Sequence, residues 1–163
     1  MFIPNILRRL CDTAESRVSF PLKILFSRQG RMKGDSVLFH IFNSQQERRE
    51  YAGSAFIELQ FCALPEGTPI EEIVDNITNW KDNSLYIDDE NEFYREYGRI
   101  FDCGIYNNLS RGTVDVYGIN YYSSDMTDSI IRKINQEKPA EYEILLSWLE
   151  KTKEYNGFYI LGL

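Results

Sequence analysis

The pattern of apolar and polar positions along the chain changes period several times, and each change marks an element. From Asn5 to Glu15, "NILRRLCDTAE" places Ile6, Leu7, Leu10 and Ala14 at helical spacing behind an asparagine able to cap the first turn. The runs "RVSFPLKILFS" and "DSVLFHIFN" are rich in Val, Ile and Phe and flank the turn-prone, basic "RQGRMKGD", which predicts a hairpin. In "SAFIELQFCAL", Phe56, Glu58 and Gln60 alternate with Ile57, Leu59 and Phe61, the two-residue period of a strand with two unequal faces.

The period then lengthens. "GTPIEEIVDNITNW" predicts a helix capped by Thr68, with Pro69 in its first turn, Glu71 closing a capping box, and Ile70, Ile73, Val74, Ile77 and Trp80 as one apolar stripe. A short strand, "SLYI", precedes "NEFYREYGRIF", where Phe93, Tyr97 and Ile100 recur three and four apart. "GTVDVYGINYY" is β-rich. "SSDMTDSIIRKINQEK" reads as an amphipathic helix capped near Ser124 or Asp125, with Ile130, Ile131 and Ile134 inward. "PAEYEILLSWLEKTKEY" repeats the pattern through Tyr142, Leu145, Leu146 and Leu149, Asn156 and Gly157 stop it, and "FYILGL" is a final buried strand. Trp80 and Trp148 fall among apolar companions and read as core residues. Strands early, helices in the middle and late, and a strand at the end predict an α+β fold: a mostly antiparallel sheet with about four helices packed on it. At 163 residues, a single domain over 1–163 is the expectation.

Composition adds two features. The chain holds 11 Tyr and 10 Phe, and tyrosine suits both core edges and contact surfaces. Charge is unevenly spread: residues 1–50 carry 9 bases and 5 acids, whereas residues 66–102 carry 3 bases and 11 acids, within a total of −7. That balance disfavours a nucleic-acid partner and favours a basic protein. No apolar run approaches the roughly 18 residues of a membrane helix. The first residues lack the layout of a signal peptide, so a cytoplasmic protein without membrane contact is expected. Cys11, Cys62 and Cys103 form no CxxC pair, which predicts reduced, buried thiols rather than disulfides or a zinc site.

The chain offers little to catalysis. Its one histidine, His40, lies in "VLFHIF" and reads as a sheet residue with satisfied nitrogens rather than a triad member. No phosphate-binding glycine motif occurs, so no cofactor is expected. The acidic stretch "YIDDENEFYREY" fails as a calcium loop, since the sixth position from Asp88 is Phe93 where glycine is needed; no metal is expected. Its acids read either as a helix start or as a surface for a positive partner. The candidate partner-binding residues are Asp82, Asp88, Asp89, Glu90, Glu92 and Glu96, with Tyr94, Tyr97, Tyr121 and Tyr122 as aromatic anchors. A small enzyme using surface carboxylates and a ligand-binding regulatory module are the other two readings.

Two segments, "FIELQFCALPEGTPIEEIVDNITNW" and "GINYYSSDMTDSIIRKINQEKPAEYEILLSWLEKTKEYNGFYILGL", resemble the bacterial immunity proteins of contact-dependent growth-inhibition and related polymorphic toxin systems. The resemblance implies a cytoplasmic, non-enzymatic protein that binds a cognate toxin domain, commonly a nuclease, and neutralises it at its active site or by blocking access. It transfers no functional residue.

Overall fold

A computed structural model describes residues 37–52 and 55–162. The predicted helix at 5–15, the strand "RVSFPLKILFS" and the loop after it lie outside these residues. The fold is α+β. A six-stranded antiparallel sheet has the order β2-β1-β6-β5-β3-β4, with β1 Ile57–Phe61, β2 Leu85–Ile87, β3 Gly104–Ile105, β4 Arg111–Gly112, β5 Ile119–Tyr122 and β6 Phe158–Leu161. The helices are α1 Gln45–Ala52, α2 Ile70–Asp75, α3 Glu90–Tyr97, α4 Ser124–Glu137 and α5 Tyr142–Leu149, the last running into a 3-10 turn at Glu150–Glu154. The final strand β6 is central, paired with β1 on one side and β5 on the other.

Alternation along the strands divides the sheet into two faces. Ile57, Leu59, Leu85, Ile87, Tyr122, Phe158 and Ile160 form one, and pack with Phe93 and Tyr97 of α3, Ile130 and Ile134 of α4, and Leu145, Trp148 and Leu149 of α5. The opposite face carries Glu58, Gln60, Tyr86, Tyr121, Tyr159 and Leu161, all buried. It is covered in part by Ile73 and Val74 of α2, with Ile70 and Ile77 packed alongside. The unequal faces read from β1 are therefore both interior: Glu58 and Gln60 are 4% and 3% exposed.

Other expectations are corrected. The predicted long helix after Gly67 closes at Asp75; Thr68 does not cap it but donates its hydroxyl to the Pro65 carbonyl (2.7 Å). Trp80 lies beyond the helix at φ +73°, off the apolar stripe. In the second half of the expected hairpin, "DSVLFHIFN", the described residues 37–43 make one bridge, His40 to Tyr86, instead of a continuous strand. Polar α1 had no apolar period to announce it. Cys62 is buried, but Cys103 is exposed at the turn before β3, and Cys11 lies outside the described residues. The turn into β6 needs glycine: Gly157 has φ +80°, and a Cβ there would meet the Tyr122 carbonyl oxygen.

Candidate partner-binding surface

The acidic residues are presented by two connections that β2 separates. Asp82 lies before the strand and Asp88 after it; three extended residues hold them apart by roughly 10 Å or more. Asp82 belongs to a loop in which Trp80 and Asn83 both adopt left-handed backbone, unusual for residues with a Cβ. The buried carboxylate of Glu58 organises this loop. It accepts from the Trp80 amide (2.7 Å), the Lys81 amide (2.9 Å), the Ser84 hydroxyl (2.7 Å) and the Gln60 side-chain amide (3.1 Å). From the other side Trp148 donates its indole N–H to the Asn83 carbonyl (2.8 Å). Asp82 itself is exposed on this clamped loop.

Beyond β2 the local chemistry is that of a helix start. Asp89 caps α3, its carboxylate accepting from the Glu92 amide (2.8 Å), and Glu90 and Glu92 occupy the first turn. Asp88 is exposed and meets His40 Nε2 at 3.1 Å; the imidazole is flanked by Phe42 and Tyr51. Glu92 and Glu96 both bind Arg95, at 3.1 and 3.2 Å, so one positive charge is shared between two carboxylates and half of their charge is offset locally. Among the described residues no lysine or arginine pairs with Asp82, Asp88, Asp89 or Glu90. Tyr94, 51% exposed and one helical turn after Glu90, shares its face of α3.

The other three tyrosines are interior, which removes them as contact anchors. Tyr97 is completely buried against Phe93 and Phe101 and donates to the Ala140 carbonyl (2.6 Å). Tyr122 packs on Phe158 in the helix-covered core. Tyr121, on the opposite face, donates to the Asn156 carbonyl (2.8 Å). The strand alternation that sends these two rings opposite ways buries both, because both faces are covered. Desolvation pushes the hydroxyls of Tyr97 and Tyr122 far above the ordinary tyrosine range, and that of Tyr121 up to about 12.

Two neighbouring cavities open on the loop-covered face. One, about 280 Å³, is lined by Ala55, Phe56, Glu58, Trp80 and Tyr86 among others; the second, about 560 Å³, by Asp75, Ile77, Asn107 and Tyr117 among others. They share Asn79, Leu161 and Gly162. Arg48, buried on α1, lays its guanidinium over the Trp80 ring, and burial lowers its pKa. Tyr86 lies opposite Glu58 in the ladder, and desolvation, with the Glu58 charge behind it, pushes its hydroxyl up to about 12. Sequence reasoning missed Glu58, Arg48, Asp75 and Tyr117 as site residues. The one usable signal was a glutamate in the middle of a strand flanked by large apolar residues. Among the described residues no group of three or more His, Cys, Asp or Glu is placed to hold a metal ion. No helix among them is long and apolar enough to cross a membrane. No family model matches the chain, and neither a curated protein nor a solved structure matches it.

Proposed function

We propose that this chain is a cytoplasmic protein-binding inhibitor that captures and neutralises a basic toxin domain, with a nuclease as the favoured partner. The observation that carries the reading is the exposure of Asp82, Asp88 and Asp89 without a lysine or arginine partner among the described residues, with Tyr94 exposed beside Glu90. Carboxylates of this kind steer a cationic surface toward the complex, and an amphipathic ring supplies contact area at low entropic penalty. A nuclease carries a basic groove for phosphate, and closely spaced carboxylates can occupy or flank it. The resemblance to immunity proteins of growth-inhibition systems points the same way.

The test is co-expression of the chain with candidate toxin domains, followed by binding kinetics on each purified pair. Protection from growth arrest and co-elution are the expected outcomes. Replacing Asp88, Asp89, Glu90 and Glu92 with Ser or Gln should slow association about tenfold or more at low salt and much less at high salt. Unchanged kinetics at both salt concentrations would leave these acids as a solvated helix start.

A further inference from the structure

We propose that the groove on the loop-covered face is where a basic, arginine-bearing segment of the protein partner docks, with Asp75 and Tyr117 as its principal contacts. The proposal rests on the partner-binding reading and goes beyond it by naming a second contact region and the side-chain chemistry it takes.

The two cavities share Asn79, Leu161 and Gly162 as walls, and the larger of the two, with Asp75, Asn107 and Tyr117 in its lining, is the groove proposed. Among the described lining residues of the two cavities Glu58 and Asp75 carry charge, both acids, and none is a lysine or arginine, although Arg48 lies over the Trp80 ring beside Glu58. Both oxygens of Glu58 are already engaged by four donors and the Arg48 guanidinium lies close enough to offset its charge, so Asp75 is the acid left for a ligand. Asp75 is exposed. It also stands in the last turn of α2, which contains no base, where an acid adds to the negative end of the helix instead of offsetting it. A bound cation relieves that arrangement.

The neutral part of the lining suits a guanidinium better than an ammonium. Tyr117 is the most exposed large hydrophobic side chain among the described residues, at 66%, and belongs to the lining. Asn79 and Asn107 add side-chain carbonyl acceptors. A planar fork of donors that pairs with a carboxylate while stacking on an aromatic ring matches this set, whereas a compact ammonium uses only the charge. The fold contains an internal precedent in Arg48, whose guanidinium covers the Trp80 ring.

The experiment is an amide-detected NMR titration of the full chain with the blocked peptide Ac-Gly-Arg-Tyr-Arg-Gly-amide and with its citrulline twin, equal in shape but uncharged. Saturable shifts at Asn79, Asn107, Gly118 and Gly162 are expected with the arginine peptide, with binding about tenfold weaker for citrulline. D75N and Y117S, both exposed changes, should each weaken the arginine peptide about three- to tenfold without altering the melting temperature. The proposal is overturned by equal binding of the citrulline peptide, by shifts confined to Asp88 through Glu92, by saturation with a neutral oligosaccharide instead, or by no saturation up to about 10 mM peptide. Peptide failure alongside intact protection against the toxin removes the groove and leaves the inhibitor reading standing. Peptide binding without protection does the reverse.

Discussion

The two faces of the sheet are built from the same alternating strands but held in different ways. On the helix-covered face, Ile57, Leu59, Leu85, Ile87, Phe158 and Ile160 meet the apolar stripes of α3, α4 and α5. Helices satisfy their own backbone, so what this face asks of its strands is chiefly volume and shape. The loop-covered face has six-residue α2 and irregular chain over it, and irregular chain brings amides and carbonyls that need partners. Side chains supply them: Glu58 to the Trp80 and Lys81 amides, Gln60 to the Thr78 carbonyl (2.9 Å), Tyr159 to the Ile73 carbonyl (3.0 Å) and Tyr121 to the Asn156 carbonyl (2.8 Å). One face is specified by packing, the other by directional bonds. The second kind leaves cavities, and both cavities described above lie on it.

The largest effects should come from a test that breaks this contrast. Truncation alone will not do so, since Leu145→Ala should cost about 2–5 kcal/mol by cavity formation and Glu58→Ala about 3–5 kcal/mol by orphaning buried donors. Substitutions that conserve size should separate the faces. Leu145→Met should cost less than about 1.5 kcal/mol because volume is kept. Glu58→Gln, equally conservative in shape, places an NH2 group against donors and should cost about 2–4 kcal/mol. Urea denaturation of the four variants measures this directly. Equal losses for Leu145→Met and Glu58→Gln would dissolve the distinction.

An intermediate effect sharpens the comparison by showing where the faces behave alike. Both bury tyrosine hydroxyls: Tyr86 and Tyr121 on one, with pKa values pushed up to about 12, and Tyr97 and Tyr122 on the other, pushed higher still by desolvation. Because the folded pKa values are raised, this stability is fully present below the unfolded value of about 10 and is lost as pH rises toward and through the folded values. Thermal melting between about pH 9 and pH 12 should therefore show a steep alkaline decline. Tyr86→Phe should cost about 1 kcal/mol at neutral pH, through loss of the bond to the Lys81 carbonyl (3.2 Å), and should make the decline shallower. An unaltered alkaline profile in that variant would mean that Tyr86 ionises no differently in the folded and unfolded chain.

What could be read from the sequence follows the same division. The helix-covered face was legible because apolar periods carry it: the stripes of α4 and α5 and the buried final strand all stand where the pattern put them. So was the start of α3, down to an acid-rich first turn. The loop-covered face was not, because its order comes from pairings distant in sequence, such as Glu58 with residues 80, 81 and 84, which no local period encodes. Tyr97, Tyr121 and Tyr122 were misread for a related reason. A tyrosine in an acidic or β-rich stretch looks amphipathic until a carbonyl is found for its hydroxyl, and the fold supplies Ala140, Asn156 and Phe101 for these three. The acids of the candidate surface were visible, but their division by β2 and the sharing of Arg95 between Glu92 and Glu96 required the geometry.

The smallest effect calibrates the others, because it comes from a bond of the same length in a different medium. Lys133 of α4 donates to Asp102 at 2.7 Å, as short as the bonds from Ser84 and Trp80 to Glu58. Here the side chains are 33% and 46% exposed, so water competes for both partners in either state of the chain. The ammonium of Lys133 lowers the Asp102 pKa. A depressed folded pKa contributes stability above the unfolded value of about 3.9, and that stability is lost as pH falls through the folded value. Asp102→Asn should therefore cost less than about 1 kcal/mol at pH 7 and progressively less as pH falls through the folded value, and a double-mutant cycle with Lys133→Met should return most of the pH 7 amount as coupling. If this pair proved as costly to disrupt as Glu58, length and not burial would govern both. The separation of the sheet into a packed face and a bonded face would then lose its physical basis, since that basis is the exclusion of water from the Glu58 cluster and not the number of bonds drawn there.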